Sequence, residues 1–442
     1  MTRVLPLCAM LALAACGSGQ KVDPSQQVGP HPYLPKPAEE LVADVGVAKV
    51  VGWKQGEAPT VPAGFKIEAM ATGLTSPRNV YPLANGDILV VESQRVGSEP
   101  VDRPKDPIRD FIMSIAHGGG GAKETAGAGG GPPQRITLLR DADGDGRPEL
   151  KTVLLDHLNS PFGVAAVGGQ LYVANTDALV RYPFTPGQTR ITAPGQLVTA
   201  LPGGLIDHHW TKSLAVSPDG SKLYVGVGSN SNIGENGLDT EDNRANILEV
   251  NTAKGDYRIY AAGMRNPVGM AFNPRTGDLW AVVNERDMIG SDLVPDYLTR
   301  VEFGGFYGWP WNYWGGYEDK RVQPDRPELR EYTHRPDYAL GNHVAPLGLT
   351  FAQDLKLGAP FENGAFVGLH GSWNRKPMAG YKVVFVKFDA GDRASGKPVD
   401  VLSGFLTPEG KAHGRPVDVT ADKTGALLVS DDVGGVIWRV RK

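Results

Sequence analysis

One strand–turn–strand unit recurs along the chain, and it restricts the available folds more than any other feature. A short apolar strand, usually opened by proline, runs to a Gly or Asp-Gly turn and returns as a strand rich in Leu, Val, Tyr or Trp. The first copy is Ser76-Pro77-Arg78-Asn79-Val80 with Gly86-Asp87-Ile88-Leu89-Val90-Val91, and the second is Ser160-Pro161-Phe162-Gly163-Val164 with Gly169-Gln170-Leu171-Tyr172-Val173. The third runs from Trp210 to Val227, and the fourth joins Asn266-Pro267-Val268-Gly269-Met270 to Gly277-Asp278-Leu279-Trp280-Ala281-Val282. Ala345-Pro346-Leu347-Gly348-Leu349 with Gly364-Ala365-Phe366-Val367, and Arg415-Pro416-Val417-Asp418-Val419 with Gly425-Ala426-Leu427-Leu428-Val429, complete the series. Spacings of about 50–85 residues, and no long 3.6-residue periodicity, predict an all-β, six-bladed β-propeller with loop insertions; seven blades is the alternative. The 57 glycines and 35 prolines fit so many turns.

The chain opens with Met1-Thr2-Arg3 and an apolar run from Val4 to Ala15, too short for a stable membrane span. Leu13-Ala14-Ala15-Cys16-Gly17 resembles the lipobox of bacterial lipoproteins. That resemblance implies a signal peptide over residues 1–15, acylation of Cys16, and a protein anchored on the periplasmic side of the envelope, at the outer membrane. An ordinary secretory signal is the alternative. Cys8 leaves with the signal, and with only two cysteines in the chain no internal disulfide is expected. Residues 16–61, rich in Pro, Gln, Lys and Glu, predict a flexible tether, and residues 62–442 the propeller. A net charge of −4 without a basic stripe argues against nucleic acid, and the membrane is expected to be met only through the lipid.

The residues that carry chemistry cluster at strand mouths. His208-His209 precede the third repeat, and imidazole is suited to taking a proton near neutral pH. Arg265 and Asn266 stand at the mouth of the fourth. Glu285-Arg286-Asp287, with Asp292 and Asp296 nearby, reads as an ion-paired surface loop or a cation site. Asp141, Asp143, Asp145 and Glu149 place oxygen ligands at alternate positions around Gly144, as a structural Ca²⁺ site or a solvated acidic turn. His370, Arg375 and Lys376, with Arg415 at the last mouth, suit an anion, though a solvated basic turn fits the first three equally. His117 to Gly131 is a glycine-dense loop not placed for phosphate binding. Phe303 to Tyr317, with three tryptophans and five further Phe or Tyr residues, is either a core plug or a stacking platform.

Taken together, these pieces resemble the soluble, pyrroloquinoline-quinone (PQQ)-dependent sugar dehydrogenases, and most closely their L-sorbosone dehydrogenase-like branch, over residues 64–440. The resemblance rests on His209-Trp210-Thr211-Lys212-Ser213-Leu214 with Ser217-Pro218-Asp219-Gly220, and on Gly263-Met264-Arg265-Asn266-Pro267. Tyr307-Gly308-Trp309-Pro310, Ala345-Pro346-Leu347-Gly348 and Gly371-Ser372-Trp373-Asn374-Arg375 extend it. It implies a quinone over the propeller axis and a bridging Ca²⁺. His209 would be the general base, with His208 where the family has an aspartate. Arg265 would be the arginine beside the quinone carbonyls and Asn266 its neighbour, and the Glu285-Arg286-Asp287 loop would offer backbone carbonyls to the calcium. Arg415 would hold a cofactor carboxylate and His343 would stand on the cofactor rim. Two family cations are replaced, one by Val417 and one by His370, so Arg375 or Lys376 would have to restore the charge.

The activity implied is oxidation of a sugar aldehyde or C1 hydroxyl, with electrons passing to a periplasmic acceptor. A non-catalytic envelope propeller and a metal-dependent lactonase or hydrolase are the alternatives.

Overall fold

The computed structural model describes residues 22–38, 46–95, 133–204 and 208–442. The expected signal peptide, Cys16, Asp207 and the loop from His117 to Gly131 lie outside these residues.

Each of the six repeats becomes the inner pair of one four-stranded antiparallel blade. The inner strands are Pro77–Pro82, Gly163–Val167, Lys212–Val216, Pro267–Phe272, Pro346–Phe351 and Pro416–Ala421, in blades 1 to 6. The second strands, such as Ile88–Ser93 and Gly364–Leu369, are buried along their whole length because each sheet is covered on both faces by its neighbours. This explains their unbroken apolar sequence, where a sheet open on one face would alternate. Blade 6 closes the ring by pairing its third strand, Val436–Arg441, with Lys66–Ala71 from the beginning of the propeller.

Inner strands approach one another backbone to backbone near the axis. A Cβ at Gly348 would stand 2.5 Å from the Val417 carbonyl oxygen, and one at Gly163 would stand 2.6 Å from the Leu214 nitrogen. Only glycine permits that spacing. Phe162, Trp210, Val268 and Val417, with Leu347 against them, plug the axis. Val417, which stands where the resemblance expects a cation, is thus part of an apolar seal.

Composition suggested a tether over residues 16–61, and the described part of that stretch is instead attached to the propeller. Gly29 exchanges both backbone hydrogen bonds with Ala339, at 2.9 Å each. Lys49–Val50 pairs in parallel with Lys411–Ala412, and Trp53 donates Nε1–H to Asp431 at 2.7 Å. Polar, proline-rich sequence here marks an extended strap held by backbone and side-chain hydrogen bonds. Its low hydrophobicity reflects that mode of attachment.

The Phe303–Tyr317 insertion packs inward: Tyr307, Trp309, Tyr313 and Trp314 are buried, which favours the core plug. Among the described residues no helix is long and apolar enough to cross a membrane.

Candidate active site

The strand mouths named above share one end of the axis. Loops that enter the inner strands bring His209, Arg265, Asn266, His343 and Arg415 there, and loops joining second to third strands bring Ser229, Asn232, Glu285, Asp287, His370 and Asp432.

His209 Nδ1 lies 2.8 Å from the Ser229 carbonyl oxygen and 3.0 Å from Ser229 Oγ. The Ser229 hydroxyl already donates to the Ser231 carbonyl at 2.6 Å. Both neighbours of Nδ1 are therefore acceptors, which assigns the proton to Nδ1 and leaves Nε2 with the lone pair. No described residue hydrogen-bonds Nε2. Burial first, then the charge of Arg265, hold this imidazole well below the ordinary 6.5, so it stays neutral at physiological pH.

Arg265 is buried and fixed at four contacts: Nε to the Asn232 carbonyl (3.3 Å), Nη1 to the Glu285 carbonyl (2.7 Å), and Nη2 to Asn232 Oδ1 (3.0 Å) and Asp287 Oδ2 (3.1 Å). One of the five guanidinium N–H groups is left over. Asn266 Oδ1 is buried without a hydrogen-bond partner, and a Cβ at Gly228 would fall 2.3 Å from it and 2.4 Å from His209 Cβ. Glycine at 228 thus lets the asparagine and the histidine flank one spot.

Glu285, Arg286 and Asp287 are only 4 %, 3 % and 8 % exposed, so the surface-loop reading is corrected. Arg286 turns away to pair with Asp319 at 2.9 Å, leaving its backbone as the part able to meet a cation. Burial pushes the Glu285 carboxyl up to about 7 and Asp296 up to about 6. Burial would also raise Asp287, but Arg265 and His343 outweigh it and hold that carboxylate below its usual range. Asp296 accepts the N–H groups of Glu285 and Ala345, both at 2.8 Å, clamping two mouth loops together.

His343 does not stand on a rim. Its Nδ1 lies 3.1 Å from Asp287 Oδ1 and its Nε2 3.1 Å from the Gly290 carbonyl. Burial lowers the ring's basicity, but Asp287 more than restores it, and the net shift is upward from 6.5. Two acceptors around one ring favour the imidazolium, which braces Asp287.

His370 Nε2 contacts both oxygens of Asp432 at 3.0–3.1 Å. Burial, reinforced by Arg415, drives its pKa down to about 4. Arg415 donates to the carbonyls of His370 (3.0 Å) and Gly371 (2.8 Å). Arg78, which the sequence did not single out, joins this group: Nη1 is 2.7 Å from Asp432 Oδ2, and the guanidinium lies 5.5 Å from the centroid of Trp210. Arg78 and Val417 are the residues after the opening proline in adjacent blades, so a cation stands one blade away from the position where it was expected.

Arg375 and Lys376 do not join that group. The Arg375 side chain turns to the strap, donating to Gln27 Oε1 at 3.2 Å and to the Ser291 carbonyl, and pairing with Asp292 at 2.9 Å. Lys376 is exposed. The expected charge compensation therefore does not come from these two residues, because Arg375 already serves Asp292.

At the opposite end of blade 1, Asp141, Asp143, Asp145 and Glu149 place ligand oxygens within 4.8 Å of one another. Several of these oxygens also accept loop N–H groups, as Asp141 does from Gly144 (2.7 Å) and Gly146 (2.8 Å). Among the described residues this is the one group of three or more such side chains able to converge on a metal.

Comparison with known proteins gives the same architecture. A PQQ-dependent pyranose dehydrogenase of Coprinopsis cinerea is 24 % identical over 440 residues, covering 86 % of this chain, which spans 54 % of that protein's length. The holo form of the pyranose dehydrogenase PQQ domain from Coprinopsis cinerea superposes with a TM-score of 0.68 at 20 % identity, over 90 % of this chain and all of that one. The calcium structure of a Trichoderma reesei carbohydrate-active enzyme of family AA12 does so at 0.67 and 19 % identity, over 87 % and 97 %. A family model described as TrAA12-like matches residues 137–296 and 322–442, well over half of the sequence, and the chain belongs to the TrAA12-like family.

Proposed function

We propose that the protein is a PQQ-dependent dehydrogenase that oxidises the C1 hydroxyl or hydrated aldehyde of a sugar, of the sorbosone type. The observation that carries this is the assignment of His209: Nδ1–H is tied to the Ser229 carbonyl, so Nε2 is an unprotonated base beside a fixed guanidinium. A hydroxyl proton would pass to Nε2, and the remaining N–H of Arg265 would stabilise negative charge developing on an oxygen nearby.

The donor set fits a planar polyanion. Asn266 Oδ1 awaits a donor, and Arg265, Arg78 and Arg415 supply cations; backbone carbonyls of the 285–287 loop would offer hard oxygen to a calcium ion, the Glu285 and Asp287 carbonyls sharing theirs with Arg265 Nη1 and Asn232 Nδ2. When bound, the quinone would accept the two electrons and calcium would polarise its carbonyl. The Asp141–Glu149 carboxylates would hold a second, structural calcium. Acylation at Cys16 would keep the protein on the periplasmic face of the outer membrane, with a periplasmic electron acceptor.

The test is reconstitution of apo-protein with the quinone and Ca²⁺, followed by bleaching of an artificial electron acceptor by aldoses and sugar aldehydes. Hydrolysis of a lactone without quinone would favour the hydrolase, and inertness in both assays would favour the scaffold.

A further inference from the structure

We propose that the site end of the propeller lies against the bilayer, with the strap side of its rim in direct contact with lipid. This rests on the acylation of Cys16 proposed above, and it adds to that anchor a fixed orientation and a second contact. Val22 is the first described residue, and it is already fastened, its N–H 3.4 Å from Asp292 in a loop of the site end. Gln27 reinforces the attachment through Asp292 Oδ1 at 2.7 Å, and Ala38 donates to the Ile289 carbonyl at 2.9 Å. Six peptide units separate Cys16 from Val22, and even fully extended they reach about 20 Å. A domain of this size is about 50 Å across. The acyl chains therefore cannot reach around it, and a chain fastened at this end holds this end, or the adjoining edge, toward the membrane.

The rim distinguishes between those two orientations. Past the first attachment the strap crosses blades 5 and 6 at the same end, where Gly46 donates to the Trp373 carbonyl and Trp53 to Asp431. Along that path large apolar side chains face outward: Val47 is 53 % exposed, Val50 and Val51 48 % each, and Trp373 and Val433 37 % each. Exposed lysines Lys49, Lys376 and Lys411 lie among them, and beside them Lys54 pairs with Glu57 at 3.7 Å. Valine and tryptophan interleaved with lysine on one surface is the pattern of a segment that rests in the headgroup layer of an anionic membrane. His208 and His209 enter from the blade 3 side, across the axis from the Gly46–Trp53 part of the strap, whereas Gly29 and Ala38 fasten its first part to blade 4. A tilt that buries the blade 5–6 rim leaves that side open to sugar.

The experiment uses the full-length acylated protein in vesicles of phosphatidylethanolamine and phosphatidylglycerol, after mass spectrometry of the Cys16 peptide. Single cysteines are introduced at Val50→Cys on the rim, Val399→Cys on the outer edge of blade 5, and Thr276→Cys at the far end, each labelled with bimane. A lipid carrying a headgroup-depth nitroxide should quench the Val50 label several-fold and leave the Val399 and Thr276 labels unchanged. Quenching at Val399 without quenching at Val50 would mean that the domain lies on its edge, and no quenching at any site would mean that it is held clear of lipid; either result overturns the orientation. An unacylated Cys16 would remove the anchor itself, a separate failure seen before any vesicle is added.

Discussion

The side-chain amide of Asn232 pairs with both backbone groups of Asp287. Its Oδ1 accepts the Asp287 N–H at 2.9 Å, and its Nδ2 donates to the Asp287 carbonyl at 3.0 Å. The same residue receives Arg265 at Oδ1 and at its own carbonyl, and that carbonyl also takes Trp309 Nε1–H at 2.9 Å. One asparagine from blade 3 thus sets the 285–287 loop, the guanidinium and the aromatic insertion in register.

Asn232→Ala leaves the buried N–H and C=O of Asp287 without these partners. Each such group costs about 1–3 kcal/mol. The expected outcome is a fall in the midpoint of urea unfolding of the apo-protein, together with a weaker Ca²⁺-induced rise in melting temperature. A variant matching wild type in both measurements would show that the pairing contributes nothing.

His209→Ala should abolish sugar-driven dye reduction while leaving quinone uptake, followed by absorbance, nearly intact. The pH profile carries a sign. Burial and Arg265 hold the imidazole below 6.5, so the basic form persists through neutrality; in a Glu285→Gln background, which removes the buried carboxyl pushed up to about 7, the rate should be flat from pH 8 down to 6.5 and fall only below that. A limb centred at or above 6.5 would contradict the assignment.

Six blades and the residues at their mouths were legible because each inner strand announces itself by a proline, an apolar run and a turn, and because His209 and Arg265 sit at its start. Their supports were not legible. Ser229 and Asn232 act through hydrogen bonds to residues 20 to 77 positions away, and such partnerships leave no local pattern. Arg375 misled for a related reason: five residues from His370 in sequence, it is carried by the loop outward to Gln27 and Asp292. The strap has the composition of a tether because backbone pairing such as Gly29 with Ala339 has no compositional signature.

His370 is held neutral by burial and Arg415, with a pKa near 4 against an unfolded value of 6.5. A base whose pKa falls on folding contributes stability above the unfolded value and loses it as pH drops toward the folded one. Between pH 6.5 and 4 this group should cost up to about 3 kcal/mol. His370→Asn should accordingly lose less stability than wild type over that window in urea titrations; parallel curves would remove His370 from the acid response.

If Asp141, Asp143, Asp145 and Glu149 hold calcium, Asp143→Ala and Asp145→Ala should lower the melting temperature in Ca²⁺ but not in EDTA. Both side chains are exposed and lie at the end opposite His209, so sugar turnover at 25 °C should be unaffected. Equal melting temperatures for wild type and variants in both buffers would leave an acidic turn.

The last prediction separates two arginines that sequence placed together. Arg415 donates to the carbonyls of His370 and Gly371 and keeps further N–H groups for an anionic ligand, whereas Arg375 is committed to Asp292 and Gln27. A charge-assisted hydrogen bond contributes roughly 1.5–3 kcal/mol, so Arg415→Ala should raise the quinone dissociation constant about ten- to a hundredfold. Screening makes the loss larger at low salt than at high salt. Arg375→Ala should leave that constant within about a factor of two, a change worth only about 0.4 kcal/mol. Its effect should fall on the strap, where Asp292 and Gln27 lose their shared cation and limited proteolysis between residues 22 and 38 should accelerate. If Arg375→Ala weakens the quinone as much as Arg415→Ala does, the strap contact does not fix that side chain in solution, and the compensation expected from the sequence is restored.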